Sequence, residues 1–67
     1  MISIKANGKS RQVAPETTIA QLLDELRLRP MQVLIEYNGE PLDREQFAAV
    51  RLQGDDTLEI AHMVGGG

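Results

Sequence analysis

One stripe of apolar side chains at helical spacing limits the possible folds of this chain more than any other feature. Its members recur at positions i, i+3, i+4 and i+7: Ile19, Leu22, Leu23 and Leu26. The polar residues between and after them are predicted to face water: Gln21, Asp24, Glu25 and Arg27. Thr18 and Gln21 have the spacing of a capping box at a helix start, and Pro30 predicts the helix end. We interpret the stripe as the core face of an amphipathic helix rather than as a partner-binding surface.

The chain before this helix has the pattern of a β-hairpin. Residues 1–6 alternate apolar and polar side chains, which is the period of a strand with one buried face. Asn7-Gly8 follows, a pair that favours a two-residue type I′ turn because both positions take positive φ. Residues 9–13 are therefore predicted to run back antiparallel to the first strand.

The chain after the helix predicts further strands. Residues 32–37 are almost continuously apolar, which indicates a central strand with both faces at least partly covered. Asn38-Gly39 predicts a second turn, and Pro41 interrupts any strand pattern after it. One short helical turn capped by Asp43 is expected next. The remaining predicted elements are a short strand, a turn and a closing strand, over residues 47–53, 54–56 and 57–63.

This order of elements predicts an α+β fold, with one mixed sheet of four to five strands packed on one main helix. The 67 residues contain no cysteine and a single histidine, His62, so neither a disulfide framework nor a zinc site is available. Apolar packing alone must hold the fold together. We expect one domain over residues 1–63 and a flexible glycine tail over residues 64–67.

The charge balance narrows the class of partner. A net charge of −3 disfavours a sequence-independent nucleic-acid binder, which needs a basic face, and favours a positively charged protein partner. The sequence has no long apolar run and no basic leader, so we expect neither a membrane span nor a signal peptide. A cytoplasmic location is the resulting expectation.

The tail Gly65-Gly66-Gly67 is the first candidate for chemistry. Extended, the four residues from Val64 span on the order of 13 Å, enough to enter the active-site cleft of another protein. Glycine lacks Cβ, so the thread fits a narrow channel and the carbonyl of Gly67 stays open to attack. A frayed end or a cloning linker explains the tail equally well when it is considered alone.

The closing strand supplies a candidate docking surface beside the tail. Its residues alternate between two faces, with Leu58, Ile60 and His62 on one and Glu59, Ala61 and Met63 on the other. If the helix covers only the first face, Ala61, Met63 and Leu34 form an exposed apolar patch, which is what a docking surface needs.

Three other candidates for chemistry are rejected. Gly8-Lys9-Ser10 resembles the end of a phosphate-binding loop, but Ser3 occupies the place of the required upstream glycine. Asp55 and Asp56 are adjacent turn acids of a kind that is usually solvated, with no base, nucleophile or metal partner. His62 has no cysteine or serine near it in sequence and is predicted to be a strand residue at the rim of the sheet.

The order of several motifs resembles the ThiS branch of the ThiS and MoaD sulfur carriers, over essentially the whole chain. The motifs are Ile4-Lys5-Ala6-Asn7-Gly8, Thr18-Ile19-Ala20-Gln21-Leu22-Leu23, Glu36-Tyr37-Asn38-Gly39-Glu40-Pro41-Leu42-Asp43-Arg44, Thr57-Leu58-Glu59-Ile60 and the closing glycines. The resemblance implies the ubiquitin-like β-grasp fold. Two departures from the family pattern are the third glycine, Gly65, and Asp55, which stands where the family commonly has glycine.

The resemblance also implies a function. The carboxylate of Gly67 would be adenylated by a ThiF-like enzyme using ATP and magnesium, and a persulfide donor would convert it to a thiocarboxylate. A ThiG-like thiazole synthase would take the sulfur during thiamine biosynthesis. The carrier would be no enzyme and would bind no cofactor or metal itself. Gly66 and Gly67 match the family's glycine pair, and Met63 lies near its apolar docking position.

Other functions are compatible with the same tail. The acceptor enzyme chooses the product, so a carrier for molybdopterin or for an amino acid is a close alternative. A ubiquitin-like modifier that is joined to lysines uses the same activation step, and a non-covalent binding module needs none.

Overall fold

Two asparagine–glycine turns organise the strands of this protein into two hairpins. The computed structural model describes residues 1–63, and in it Asn7 and Gly8 have φ values of 53° and 79°. Asn38 and Gly39 have φ values of 51° and 86°. Positive φ at both central positions is the type I′ geometry, whose twist matches that of the flanking strands. Both predicted turns are confirmed.

The first hairpin joins β1 (Ile2–Ala6) to β2 (Lys9–Val13), and the second joins β3 (Val33–Tyr37) to β4 (Glu40–Leu42). The last strand, β5 (Thr57–His62), lies between them, so the sheet order is β2-β1-β5-β3-β4. Strand β5 runs parallel to β1 and antiparallel to β3. The predicted α+β fold with one mixed sheet is thus confirmed, with five strands.

Helix α1 (Ile19–Glu25) packs against one face of this sheet. Thr18 and Gln21 form the predicted capping box, with the Gln21 amide donating to Thr18 Oγ1 at 3.1 Å and the Thr18 amide donating to Gln21 Oε1 at 2.9 Å. The stripe is buried as predicted, except that Leu26 is only partly buried. The core consists of ten apolar residues: Ile4, Val13, Ile19, Leu22, Leu23, Val33, Ile35, Phe47, Leu52 and Leu58.

The helix ends earlier than Pro30, the predicted stop. After Leu26, Arg27 takes a left-handed φ of 60°. The amide of Leu28 then donates to the carbonyl of Leu23 at 2.9 Å, and the amide of Arg27 donates to that of Asp24 at 3.0 Å. This pair of bonds is a Schellman ending, which normally takes glycine at the left-handed position. Pro30 instead begins a short 3-10 turn, Pro30–Gln32.

Two strand predictions need correction around β3. Strand β3 is an interior strand but not the middle one, and only one of its faces is covered, since Val33 and Ile35 are buried while Leu34 is 58% exposed. Pro41 does not interrupt the pattern: it lies in β4 opposite Glu36. Because β4 is an edge strand, an absent N–H is tolerated there.

The predicted strand over 47–53 is wrong, because the backbone of this segment serves the helix instead. The carbonyls of Val50 and Phe47 accept from the amides of Ile19 and Ala20, at 3.1 and 2.9 Å. Those amides belong to the first turn of α1 and have no partner within the helix. A single bridge between Arg51 and Thr18 is the pairing found in this segment. The preceding turn, Arg44–Gln46, begins after Asp43 as predicted, without a capping bond from the Asp43 side chain.

The predicted division into a domain over 1–63 and a tail over 64–67 stays a prediction, since 64–67 lie outside the described residues.

Arg27→Gly should stabilise the protein. A non-glycine residue in the left-handed region costs about 1–2 kcal/mol, and the substitution removes this cost. Part of the resulting gain in stability is offset by the greater freedom of glycine in the unfolded chain. We expect unfolding free energy to rise by about 0.5–1 kcal/mol, and the melting temperature by about 2–8 °C. Circular dichroism during urea and thermal unfolding measures both.

The matched control is Arg29→Gly, which removes the same charge at a residue with a φ of −90°. It should be neutral or destabilising. Equal effects of the two substitutions would show that charge, not backbone conformation, decides the outcome.

Candidate docking surface and tail anchor

The predicted reactive residues Gly65, Gly66 and Gly67 lie outside the described residues. Strand β5, which ends at His62, and Met63 after it are the last described part of the chain before them. The amide of Met63 donates to the carbonyl of Gln32 at 2.7 Å, which continues the pairing of β5 with the segment before β3. The backbone is therefore held by hydrogen bonds up to the start of the tail.

The face of β5 that points away from the helix carries the predicted apolar patch. Leu34 of β3 lies directly opposite Ala61 of β5, and Leu34 is 58% exposed. Met63 is 39% exposed and Ala61 is exposed as well. The structure thus brings Leu34 and Ala61 together and leaves all three predicted residues accessible. Their role in docking stays a prediction.

The patch continues into a groove with a volume of about 420 Å³. Pro41 and Leu42 of β4 extend its apolar lining beyond Leu34 and Ala61. Acidic side chains also line it: Glu36, Asp43 and Glu59. An apolar floor with acidic side chains around it fits a partner that presents apolar side chains among basic ones, because complementary charges steer the encounter and fix its orientation. We call this surface the acidic groove.

The amide side chain of Asn7 anchors β5 on its other edge. Strand β1 pairs with β5 only as far as Ala6 opposite Leu58, after which its backbone turns away. Asn7 Oδ1 accepts from the amide of Ile60 at 2.7 Å, and Asn7 Nδ2 donates to the carbonyl of Ile60 at 3.1 Å. The side chain therefore replaces the backbone groups that a longer β1 would have supplied.

Asn38, in the equivalent position of the second turn, holds the opposite end of β5. Its side-chain oxygen Oδ1 accepts from the backbone N–H of Thr57 at 2.9 Å, and its backbone N–H donates to the carbonyl of Thr57 at 2.9 Å. Both asparagines occupy the first left-handed position of a turn, where asparagine is favoured. Each asparagine therefore forms the turn of its hairpin and also holds strand β5 by hydrogen bonds.

Asp56 is not the solvated turn acid that the sequence suggested. It is 8% exposed and accepts from three groups: Tyr37 Oη at 2.6 Å, the Gln53 amide at 2.8 Å and Asn38 Nδ2 at 3.2 Å. These bonds fix the loop before β5 to the second hairpin, which is a structural task. The pKa of Tyr37 is raised to about 12, mainly by burial of the phenol. The hydrogen bond to Asp56 and the negative charge of Asp56 raise it further.

The other rejected candidates have ordinary structural places. Asp55 takes a left-handed φ of 70°, a conformation that glycine would take more easily. Lys9 and Ser10 begin β2, after a hairpin turn rather than before a helix. His62 is an exposed residue of β5 opposite Val33.

Residues 1–63 contain neither a cluster of potential metal ligands nor a membrane-spanning helix. No three side chains of the histidine, cysteine, aspartate or glutamate type converge there as metal ligands would. That stretch also contains no helix with the length and apolar character needed to cross a membrane.

Comparison with known proteins gives consistent matches. The family model of the ThiS family matches residues 4–67. The sulfur carrier protein ThiS of Bacillus subtilis is 37% identical over 65 residues, which are 96% of this chain and 98% of the relative. The crystal structure of the thiamine biosynthesis protein ThiS from Geobacter metallireducens superposes with a TM-score of 0.83 at 33% identity, covering 98% of this chain and 100% of that one.

One relative is much longer. A thiazole synthase of Magnetococcus marinus is 36% identical over 66 residues, which are 98% of this chain. The chain spans about a fifth of that relative, since the match covers 20% of its length.

The phenol of Tyr37 should titrate near pH 12 in the folded protein. It is the single tyrosine of the chain, so the ultraviolet absorbance of the phenolate reports this group alone. Because its folded pKa of about 12 exceeds the ordinary 10.0, its contribution to stability is complete below pH 10 and is lost as the pH rises from about 10 to about 12.

Asp56→Asn should lower this midpoint, because the negative charge that opposes the phenolate is removed. Far-ultraviolet circular dichroism at each pH checks that the protein remains folded. A wild-type midpoint at the ordinary value, measured in folded protein, contradicts the prediction.

Asn7→Gly should loosen β5 locally at Ile60. Glycine tolerates the turn conformation, so the change removes the two side-chain hydrogen bonds and leaves the hairpin intact. Each bond is worth about 0.5–1.5 kcal/mol, so protection of the Ile60 amide from hydrogen exchange should fall about tenfold. The control Asn38→Gly should reduce protection at Thr57 instead. Equal losses at both amides in both variants would indicate general destabilisation rather than local anchoring.

Proposed function

Since this chain belongs to the ThiS family, we propose that it is a sulfur carrier of thiamine biosynthesis that holds sulfur as a thiocarboxylate on Gly67. The observation that carries the proposal is that the family match extends through residue 67, and that Ala61 and Met63, shortly before the tail, lie exposed near Leu34. The tail supplies the reactive carbonyl, and the acidic groove supplies a surface for recognition.

The proposed activation makes the carboxylate electrophilic. An oxygen of the Gly67 carboxylate attacks the α-phosphorus of ATP, and magnesium-bound pyrophosphate leaves. The terminal sulfur of a persulfide then attacks the carbonyl carbon of the acyl adenylate, and AMP leaves. A thiol then attacks the resulting acyl disulfide at the sulfur that belongs to the donor. The thiol and the donor become joined in a disulfide, and the transferred sulfur stays on the chain as a thiocarboxylate. ATP and magnesium belong to the activating enzyme in this scheme, and the carrier provides no catalytic group.

The activating partner in this proposal is a ThiF-like enzyme that docks on the acidic groove. A tail of a few glycines makes too little contact to bind tightly alone, so recognition has to come from the folded domain. Leu34, Ala61 and Met63 offer the apolar contact, and Glu36, Asp43 and Glu59 offer charge complementarity to a basic partner. Once docked, the tail is held near the nucleotide at high effective concentration.

The acceptor in this proposal is a ThiG-like thiazole synthase. The long relative supports it, because a segment similar to this whole chain occurs within a protein named thiazole synthase. A cytoplasmic location belongs to the same proposal, because activation consumes ATP.

The proposal predicts a change of intact mass. The protein is incubated with a ThiF-like enzyme, magnesium–ATP, a persulfide donor and a thiol, and its mass should rise by the difference between sulfur and oxygen. Deletion of all three residues Gly65, Gly66 and Gly67 should abolish the change while circular dichroism stays the same. A mass increase in the truncated protein would place the reactive group elsewhere. A lysine-linked adduct would identify a protein modifier, and no change in mass would leave a non-covalent binding module.

The docking part of the proposal has a matched pair of variants in the same assay. Ala61→Asp places a charge in the apolar patch, while Ala49→Asp places the same charge on an exposed alanine of the 47–53 segment. Ala61→Asp should lower kcat/KM of the activating enzyme about tenfold or more, which corresponds to about 1.4 kcal/mol, mainly through KM. Equal activity of the two variants would show that the acidic groove is not the docking surface.

A further inference from the structure

A second groove lies on the opposite face of the sheet, beside the helix. Helix α1 has seven residues and covers only part of this face. The uncovered part is a groove of about 390 Å³. It is lined by the turn end of the first hairpin, by residues just after the helix and by the last residues of strand β5. Its apolar lining consists of one buried and three half-buried side chains: Ala6, Leu26, Leu28 and Ile60.

The polar side chains of this groove are basic or neutral. Lys9 and Arg11 lie opposite Ala6 and Ile4 in the β1–β2 register, so both project on the helix side of the sheet. His62 lines the groove from β5. No aspartate or glutamate lines it, although the chain has ten acidic residues against seven Lys and Arg. We call this surface the basic groove.

The two cations have no carboxylate partner in the described part of the chain. The salt bridge found within residues 1–63 joins Arg51 to Glu16, and neither Lys9 nor Arg11 takes part in one. Within residues 1–63 this acid-rich protein thus has two cations without a carboxylate partner beside an apolar floor. The charge pattern is the reverse of that in the acidic groove on the other face.

We propose that the basic groove binds an acidic peptide segment of a partner protein, one that carries an apolar side chain flanked by aspartate or glutamate. The carboxylates would pair with Lys9 and Arg11, and the apolar side chain would cover Leu28 and Ile60. A nucleic acid fits less well, because two cations cannot offset the net charge of −3 and the floor offers no aromatic ring for base stacking.

The position of the basic groove adds a second recognition element next to the tail. His62 faces it and Ala61 faces the acidic groove, because successive residues of β5 point to opposite sides of the sheet. Two partner segments of opposite charge can therefore contact β5 at the same time. Binding in the basic groove needs only the folded domain and does not depend on sulfur loading of Gly67.

The test is an NMR titration of the ¹⁵N-labelled full chain with a capped peptide in which a Leu-Phe pair is flanked by glutamates. Amide signals of Lys9, Arg11, Leu28 and His62 should shift, while those of Leu34 should not. We expect a dissociation constant on the order of 1 mM or tighter, weakening with added salt. The same peptide with lysines in place of glutamates should give no shifts at these residues.

Lysines on the two faces of the first hairpin provide the matched variants. Lys9→Glu should weaken binding about fivefold or more, whereas Lys5→Glu, on the opposite face, should leave it within a factor of about two. Lys9→Gln serves if the charge reversal disturbs folding, and should weaken binding to a smaller degree. The proposal is overturned if the lysine peptide or an oligothymidylate shifts the same residues equally, or if Lys5→Glu weakens peptide binding as much as Lys9→Glu.

Discussion

The structure depends on how strand β5 is held between two hairpins. A two-stranded hairpin is marginal by itself, and β5 lies between the two hairpins in the sheet order. On one side β5 pairs with β3 along five register positions, from Val33 opposite His62 to Tyr37 opposite Leu58. On the other side the parallel pairing with β1 covers two positions. The side chain of Asn7 extends that short pairing, so the end of β5 nearest the tail is bonded on both edges.

The alternation of β5 separates two kinds of surface. Leu58 is buried in the core and Ile60 is half-buried, and the helix is too short to cover the face beyond them. Ala61 and Met63 point the other way, to the face of the sheet that α1 does not cover. One surface is therefore exposed because the helix is short, and the other because the helix lies on the opposite face of the sheet. Their opposite charges arise from which residues flank each face, not from the net charge of the chain.

Local signals in the sequence predicted most of the fold. Asn7-Gly8, Asn38-Gly39 and the Thr18–Gln21 capping box each specify a backbone geometry within four residues, and all three are confirmed. Predictions failed where a distant partner decided the outcome. The 47–53 segment has buried Phe47 and Leu52 like a strand, but its carbonyls bond the helix start. No short window contains that information.

The candidate site divides in the same way. Alternation in β5 predicted that Ala61 and Met63 share an exposed face, because the period of a strand is local. The role of Asn7 was missed, since its partner Ile60 is 53 residues away. Asp56 was missed for the same reason, because Tyr37 and Asn38 belong to another hairpin. A strong Asn-Gly turn signal directly after a short strand is the one sequence pattern that could have suggested the Asn7 anchor.

Anchoring the last strand on both edges bears directly on the proposed chemistry. A reactive end that enters another protein loses conformational freedom, and every residue that is already fixed before docking reduces that loss. Ile60 is bonded to Asn7, and Met63 is bonded to Gln32, so the backbone is already fixed at these two residues before docking. The bonds that complete the sheet therefore also lower the entropy cost of docking in the proposed function, which links the stability of the fold to the proposed presentation of Gly67.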